Sequence, residues 1–360
     1  MAKKIEAPWW TWAAPLAAWV VLFLGIAFGV GPLMAAVTDA ALIITVFAAV
    51  HHAEVVAHRT GEPFGTLVLA VAVTVIEVAL IVSIMISTPG GKVYLARDTV
   101  FAAVMIVCNG IVGLCLLAGG ARHHEQGFQV QGASAALAVL AALTILTLVL
   151  PNVATTVPGP FFSRSQLVFA AVVSLLLYGS FVFVQTVRHR DYFLPVGRKN
   201  ENAHARPPSN RTALVSAALL LAALVAVVGL AKALTPMLET GVVWLGVPEA
   251  VVGIVIAGLV LLPEGLAALR AARANRLQDS LNLALGSALA SIGLTIPAVA
   301  TLSIVLDRQL ELGLSAKEQI LLALTLIVGV ITLGTGRTTV LQGIVHLVIF
   351  AAFLFFSIVP

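Results

Sequence analysis

Glu77 stands near the middle of TLVLAVAVTVIEVALIVSIM (66–85), with no cation in the same apolar block. A charged carboxylate at membrane depth is costly, and acids kept there face a cavity or line an ion or proton path; the bland alternative is a neutral, hydrogen-bonded core acid. Glu264 holds a similar place in VVGIVIAGLVLLPEGLAALR (251–270), about two turns before Arg270 and Arg273. Pro263 removes a backbone donor and frees the carbonyl about one turn earlier. Freed carbonyls at membrane depth are tolerated where they line a cavity or coordinate a cation. Pro263-Glu264-Gly265 therefore reads as a carbonyl-plus-carboxylate ion ligand, with a simple kink as the alternative.

Neutral oxygens follow each acid. Ser287, Ser291 and Thr295 recur every fourth residue in LNLALGSALASIGLTIPAV (281–299), which puts them on one helical face. Gly286 and Gly293 permit close packing there, and Pro297 frees another carbonyl. Small hydroxyl residues are equally common as helix-packing glue. The block 98–119 offers Asn109 and Gly110 at its centre, and Thr74 shares the face of Glu77 three residues earlier. Two carboxylates with hydroxyls and carbonyls suit a hard cation. Calcium takes about six to eight oxygens in flexible geometry, whereas magnesium dehydrates reluctantly and soft metals prefer Cys, Met or His. Apolar burial favours the protonated form of an empty carboxylate, so cation and proton compete for the same oxygens. Occupancy by either would let the protein change its facing, while the bare double anion would not. That is the chemistry of antiport by mutual exclusion.

The elements that must carry these residues are legible from composition. Hydrophobic residues make up 60% of the 360 and charged residues 10%, and the mean hydropathy is +1.08. Eleven apolar blocks stand out, at 11–31, 33–58, 64–88, 98–119, 132–150, 165–187, 212–235, 247–271, 279–306, 316–334 and 338–359. Most match the roughly 20 residues needed to cross about 30 Å of hydrocarbon. Helix is the expected form, because lipid offers no partner for unpaired backbone groups and the blocks lack a barrel's alternation. With the N-terminus inside, fourteen of the 20 Lys and Arg fall in inside loops. That bias predicts a cytoplasmic N-terminus and a periplasmic C-terminus, and it accounts for the net charge of +4 without a nucleic-acid partner. The segment 188–211, RHRDYFLPVGRKNENAHARPPSNR, reads as a mobile cytoplasmic linker. The chain then divides into an extra N-terminal helix (1–32), a first five-helix repeat (33–187), the linker, and a second repeat (212–360). An odd number of crossings per repeat inverts the second relative to the first, the architecture in which secondary transporters bind ions where the halves meet. Trp9, Trp10 and Trp12 suit an interfacial anchor for a retained first helix.

Other constellations are weaker. His51, Glu54 and His58 lie at i, i+3 and i+7 near an expected cytoplasmic helix end, with Glu62 following. Histidine titrates near cytoplasmic pH, so a pH sensor or a metal stripe competes with the plainer reading, a hydrated vestibule. His123, His124 and Glu125 read as loop residues without a ligand role, Arg337 as a cytoplasmic anchor, and His346 as a packed, satisfied core residue rather than a relay. Cys108 and Cys115, seven apart in one predicted helix, have neither disulfide nor zinc spacing. No nucleotide-binding or hydrolase motif occurs, and no resident cofactor is expected: Ca2+ and H+ are cargo.

Four stretches, HHAEVVAHRTGEPFGTLVLAVAVTVIEVALI (51–81), LLAGGARHHEQGFQ (116–129), LLPEGLAALRAARANRLQDSLNLALGSALASIGLTIPAV (261–299) and GRTTVLQGIVHLVIFAAFLF (336–355), closely resemble the bacterial sodium–calcium/proton antiporters. These form part of the cation/proton-exchanger branch of the calcium/cation-exchanger superfamily. The resemblance implies an all-α inner-membrane protein with an extra first helix and an inverted five-plus-five core. It implies ion ligation by acids matching Glu77 and Glu264, with Ser287 and Ser291 from the following helix. The chain departs from the wider branch where Val73-Thr74 and Leu261-Leu262 replace a Gly-Asn before each acid, and in a basic rather than acidic linker.

The expected function is exchange of cytoplasmic Ca2+, with Na+ or K+ as further cargo, for protons across the lipid bilayer. A mainly monovalent Na+ or K+/H+ antiporter would use the same acids. A lipid-modifying enzyme with the glutamates as general acid and base would need an arginine or metal cluster for phosphate, and none lies near them in sequence. A passive channel would dissipate cation gradients without moving protons in return.

Overall fold

The computed structural model describes residues 8–29, 31–61, 64–87, 94–195, 208–246, 248 and 250–359. Eleven helices run through them: α1 (Trp9–Phe28), α2 (Pro32–Thr60), α3 (Phe64–Ser87), α4 (Leu95–His123), α5 (Val130–Asn152), α6 (Arg164–Arg188), α7 (Asn210–Leu245), α8 (Ala250–Arg273), α9 (Leu277–Val305), α10 (Ala316–Leu333) and α11 (Val340–Ile358). Each of the eleven apolar blocks is therefore helical. Among the described residues ten helices are long and apolar enough to cross a membrane, and α3 adds the shorter apolar stretch Ala70–Val82. The largest departure from expectation is α7, whose 36 residues outrun the block 212–235 at its C-terminal end.

Three helix starts are written in the sequence as capping boxes. Ser163 and Gln166 open α6, Ser315 and Glu318 open α10, and Thr339 and Gln342 open α11. In each, side chain and backbone satisfy each other's orphan groups where the helix meets the interface. The interiors are less regular. α4 widens to a π-helical turn at Ile106–Ile111, α5 does so at Ile145–Val149, and α6 at Val184–Arg188.

The chain forms two compact units, Met1–Lys92 with Arg198–Val247, and Val93–Gly197 with Pro248–Pro360. Each unit draws on sequence from both sides of the linker. In the first unit α2 packs against α1, α3 and α7. Pro15 lies inside α1 and cannot donate to the carbonyl of Thr11 four residues earlier. His52 Nε2 of α2 takes that carbonyl at 2.9 Å, and the Trp12 ring meets the His52 ring edge-on at 6.4 Å. Trp19 Nε1 donates to the Ala222 carbonyl of α7 at 3.2 Å, and the Arg59 guanidinium donates to Asn210 Oδ1. Of the three tryptophans near the start of α1, Trp9 and Trp12 are exposed and Trp10 is half-buried.

In the second unit α4 and α9 form the interior, with α8 packed against both. One end is gathered by β1 (Gln126–Gly127) and β2 (Arg337–Thr338), antiparallel with Gln126 opposite Thr338 and Gly127 opposite Arg337. There Arg337 pairs with Glu125 at 3.3 Å, and His123 Nε2 donates to the Arg273 carbonyl at 3.0 Å. Gln126 Nε2 donates to Ala272 O at 2.9 Å. At the other end Arg97 donates to Asp98 Oδ1 at 2.8 Å, to Glu311 and to Gly313 O at 3.2 Å, while Asn152 Nδ2 donates to Leu314 O at 2.9 Å. Loops expected on one side of a membrane thus sit together, as alternating crossings demand. The first residues of the linker are docked: Asn282 Nδ2 donates to Phe193 O at 2.5 Å, and Phe193 is buried against Phe181. Lys3, Lys4, Glu62, Lys92 and the linker segment 196–207 lie outside the described residues.

Candidate functional site

The two acids singled out by sequence are both buried, and each belongs to a different unit. Glu77 on α3 is 2% exposed and Glu264 on α8 is 7% exposed. Their helices are apolar enough that an acid there needs a reason.

On α3, Thr74 lies one turn from Glu77 and is buried with it. Its hydroxyl behaves unlike most helical threonines of the chain. Thr38, Thr45, Thr99, Thr144, Thr147 and Thr301 each donate to the carbonyl four residues back, the usual resting place for a hydroxyl in a helix. Thr74 Oγ1 is buried and has no hydrogen-bond partner among the described residues.

In the second unit, Glu264, Asn109 and the hydroxyl stripe are carried by three mutually packed helices, α8, α4 and α9. Ser291 and Thr295 are buried, at 5% and 0% exposure, and Ser287 is half-buried. Thr295 repeats the anomaly of Thr74: its Oγ1 is buried without a partner among the described residues. Both helices run unbroken through their prolines, so Pro263 and Pro297 interrupt no helix. What they leave is a carbonyl without its helical donor, at Leu259 and Gly293 respectively. α4 and α8 approach closely, since a Cβ on Gly265 would lie 3.0 Å from Ile111 Cδ1, and one on Gly253 would lie 2.9 Å from the backbone of Asp98.

Asn109 is fully buried in the π turn of α4. Its side chain is engaged with α10 and α11: Nδ2 donates to Thr325 Oγ1 at 2.9 Å, and Oδ1 lies 3.2 Å from His346 Nδ1. The second ring nitrogen of His346 meets Thr332 Oγ1 at 3.2 Å, so His346 is a satisfied core residue, as its sequence context suggests. Neither Thr325 nor Thr332 could be singled out from sequence, because each is one hydroxyl among many in apolar helices.

His51, Glu54 and His58 share a helix but not an environment. His51 is half-buried, its ring 5.7 Å from that of His52, while Glu54 and His58 are exposed. Among the described residues no three His, Cys, Asp or Glu side chains cluster as metal ligands would. The histidine that sequence reading passed over is His52. Pro15, placed four residues after Thr11, marks a freed carbonyl, but nothing local says which distant donor will take it. Cys108 and Cys115 are free and buried on α4.

With the fold and these positions established, comparison with known proteins places the chain. Residues 30–187 and 215–359 match the family model of the sodium/calcium exchanger protein. The chain is 52% identical over 364 aligned residues to y4hA of Sinorhizobium fredii, whose name assigns it to ionic transport, covering 99% of this chain and 98% of the relative. It is 37% identical over 346 residues to the sodium-potassium/proton antiporter ChaA of Escherichia coli, covering 94% of this chain and 93% of ChaA. The solved structure of native YfkE, a Ca2+/H+ antiporter, shares the fold with a TM-score of 0.75 at 16% identity, covering 97% of this chain and all of the other. The chain belongs to the sodium/calcium exchanger family: it is a multi-pass membrane transporter of inorganic cations, and not an enzyme.

Proposed function

We propose that the chain is a cation/proton antiporter of the bacterial inner membrane, in which Glu77 and Glu264 bind the cation and the proton in alternation. The observation that carries this reading is the pair of buried acids, each on an apolar helix, in company with buried hydroxyls that decline their own helix carbonyls. A carboxylate closed off from water must be neutralised, by a proton or by a cation. Thr74 stands beside Glu77, and Ser287, Ser291 and Thr295 on α9 supply neutral oxygen to the unit that holds Glu264. Asn109 lies on the same set of helices. An oxygen-only set of this kind suits a hard cation, and Ca2+ with its flexible coordination is the cargo the set fits best. In this reading the two five-helix halves are inverted repeats, the N-terminus is cytoplasmic and the C-terminus periplasmic.

A second cargo reading has its own support. Similarity to ChaA, a sodium-potassium/proton antiporter, extends over nearly the whole chain and favours Na+ or K+ as principal cargo at the same acids. Everted vesicles with an acidified interior separate the two. Addition of CaCl2, NaCl or KCl singly should release the proton gradient for whichever ion is carried. Glu77→Gln and Glu264→Gln should each abolish that release, and exchange at the native rate in either variant overturns the role of that acid.

A further inference from the structure

The polar network behind α4 is more constrained than a packing contact requires. Thr325 Oγ1 donates to its own Leu321 carbonyl at 2.7 Å, so toward Asn109 it can only accept. The amide nitrogen of Asn109 occupies that place at 2.9 Å, which turns Oδ1, an acceptor, toward His346 Nδ1 at 3.2 Å. The ring proton of His346 therefore sits on Nδ1. Nε2 is left as the acceptor, and Thr332 Oγ1 donates to it at 3.2 Å. His346 is 1% exposed, and its ring also meets the Cys108 backbone of the same π turn, so the network is anchored on α4 at two adjacent residues.

The stretch of α4 held by this network is gripped from two sides. α11 closes on it, since a Cβ on Gly113 would lie 3.0 Å from His346 Cβ and one on Gly110 would lie 3.3 Å from the Phe350 ring. α8 closes on it through Gly265, whose added Cβ would meet Ile111 Cδ1 at 3.0 Å. Gly265 adjoins Glu264. The π turn Ile106–Ile111 is thus a wedge between the His346 network and the turn that carries the acid, and π turns of this kind are common at functional sites.

We propose that His346 is a positioning residue for cation exchange, acting through Asn109 to hold the π turn of α4 where it seats the Glu264 turn. The inference rests on Glu264 being a cation-binding acid. The test uses the full chain in everted vesicles, titrated separately with CaCl2 and NaCl, with protein amount and melting temperature measured for each variant. An asparagine amide nitrogen falls near the place of Nδ1, and a glutamine amide nitrogen near that of Nε2. His346→Asn should therefore keep the cation KM within about twofold of native, while His346→Gln and Asn109→Ala should each raise it about fivefold to tenfold, the scale of one buried hydrogen bond. The double variant H346Q/N109A should fall short of the product of the two single effects, because both remove the Asn109–His346 bond, while N109A also loses the bond to Thr325. Equal KM changes in His346→Asn and His346→Gln, or multiplied effects in the double variant, would overturn the positioning role. Native exchange in Glu264→Gln would instead overturn the acid's role itself, so the two failures are told apart.

Discussion

At the scale of single residues, the structure turns on where carbonyls and hydroxyls find partners. Pro15 strips Thr11 of its helical donor and His52 supplies one from the next helix. His52→Ala should therefore lower the melting temperature of the purified chain, since an unpaired buried carbonyl costs about 1–3 kcal/mol. In a Pro15→Ala background residue 15 regains its N–H and can take the Thr11 carbonyl, so the cost of removing the imidazole should shrink. Equal losses in the two backgrounds would show that the histidine matters only as packing. The acids Glu77 and Glu264 were legible from sequence because a lone carboxylate in an apolar run is conspicuous. The network of Asn109, Thr325, Thr332 and His346 was not, because Asn109 lies 216 residues from Thr325 and 237 from His346, and each member looks ordinary alone.

At the scale of elements, helix identity follows from hydropathy, and several helix starts follow from capping boxes that can be read directly. The π turns cannot be read this way, since the extra residue shows as a shift of helical phase only where one face is polar, and these blocks are apolar on nearly every side. Glycine placement supplies a sharper test of the packing. In α9, a Cβ on Gly293 would lie 2.7 Å from Tyr178 Cβ, whereas one on Gly286 meets nothing within 4 Å. Gly286→Ala should be neutral or should stabilise by up to roughly 1 kcal/mol, the helix preference of alanine over glycine. Gly293→Ala should destabilise by about 1–3 kcal/mol, the usual cost of overpacking. Thermal melting in detergent measures both, and equal behaviour of the two variants would mean that α6 and α9 do not meet at Gly293.

At the scale of the whole molecule, the charge bias predicts a cytoplasmic N-terminus and a periplasmic C-terminus. A phosphatase reporter fused after Val359 should be active and a fluorescent protein fused there should stay dark, while both patterns should reverse for fusions placed in the loop between α9 and α10 only if that loop faces the cytoplasm. The expected result is an active phosphatase at both places, because both are expected to be periplasmic; a fluorescent C-terminal fusion would overturn the orientation. The division of the chain into units was the part least visible in sequence. Linker composition points to two consecutive halves, whereas packing joins α7 to α1, α2 and α3, and joins α8 through α11 to α4, α5 and α6. Hydropathy marks where the chain crosses, and it carries no information about which crossings become neighbours.

That interleaving sets the order of events during synthesis. A chain that has emerged only as far as Leu194 possesses neither unit whole: α1, α2 and α3 still lack α7, and α4, α5 and α6 still lack everything after Pro248. At ~5–20 residues per second, the first three helices wait on the order of ten seconds in the bilayer for their partner. The bare faces of α2 and the buried acid of α3 must be sheltered through that interval by lipid, by the insertion machinery or by each other. The stretch that carries α4, α5 and α6, far more than the linker, sets how long the waiting lasts.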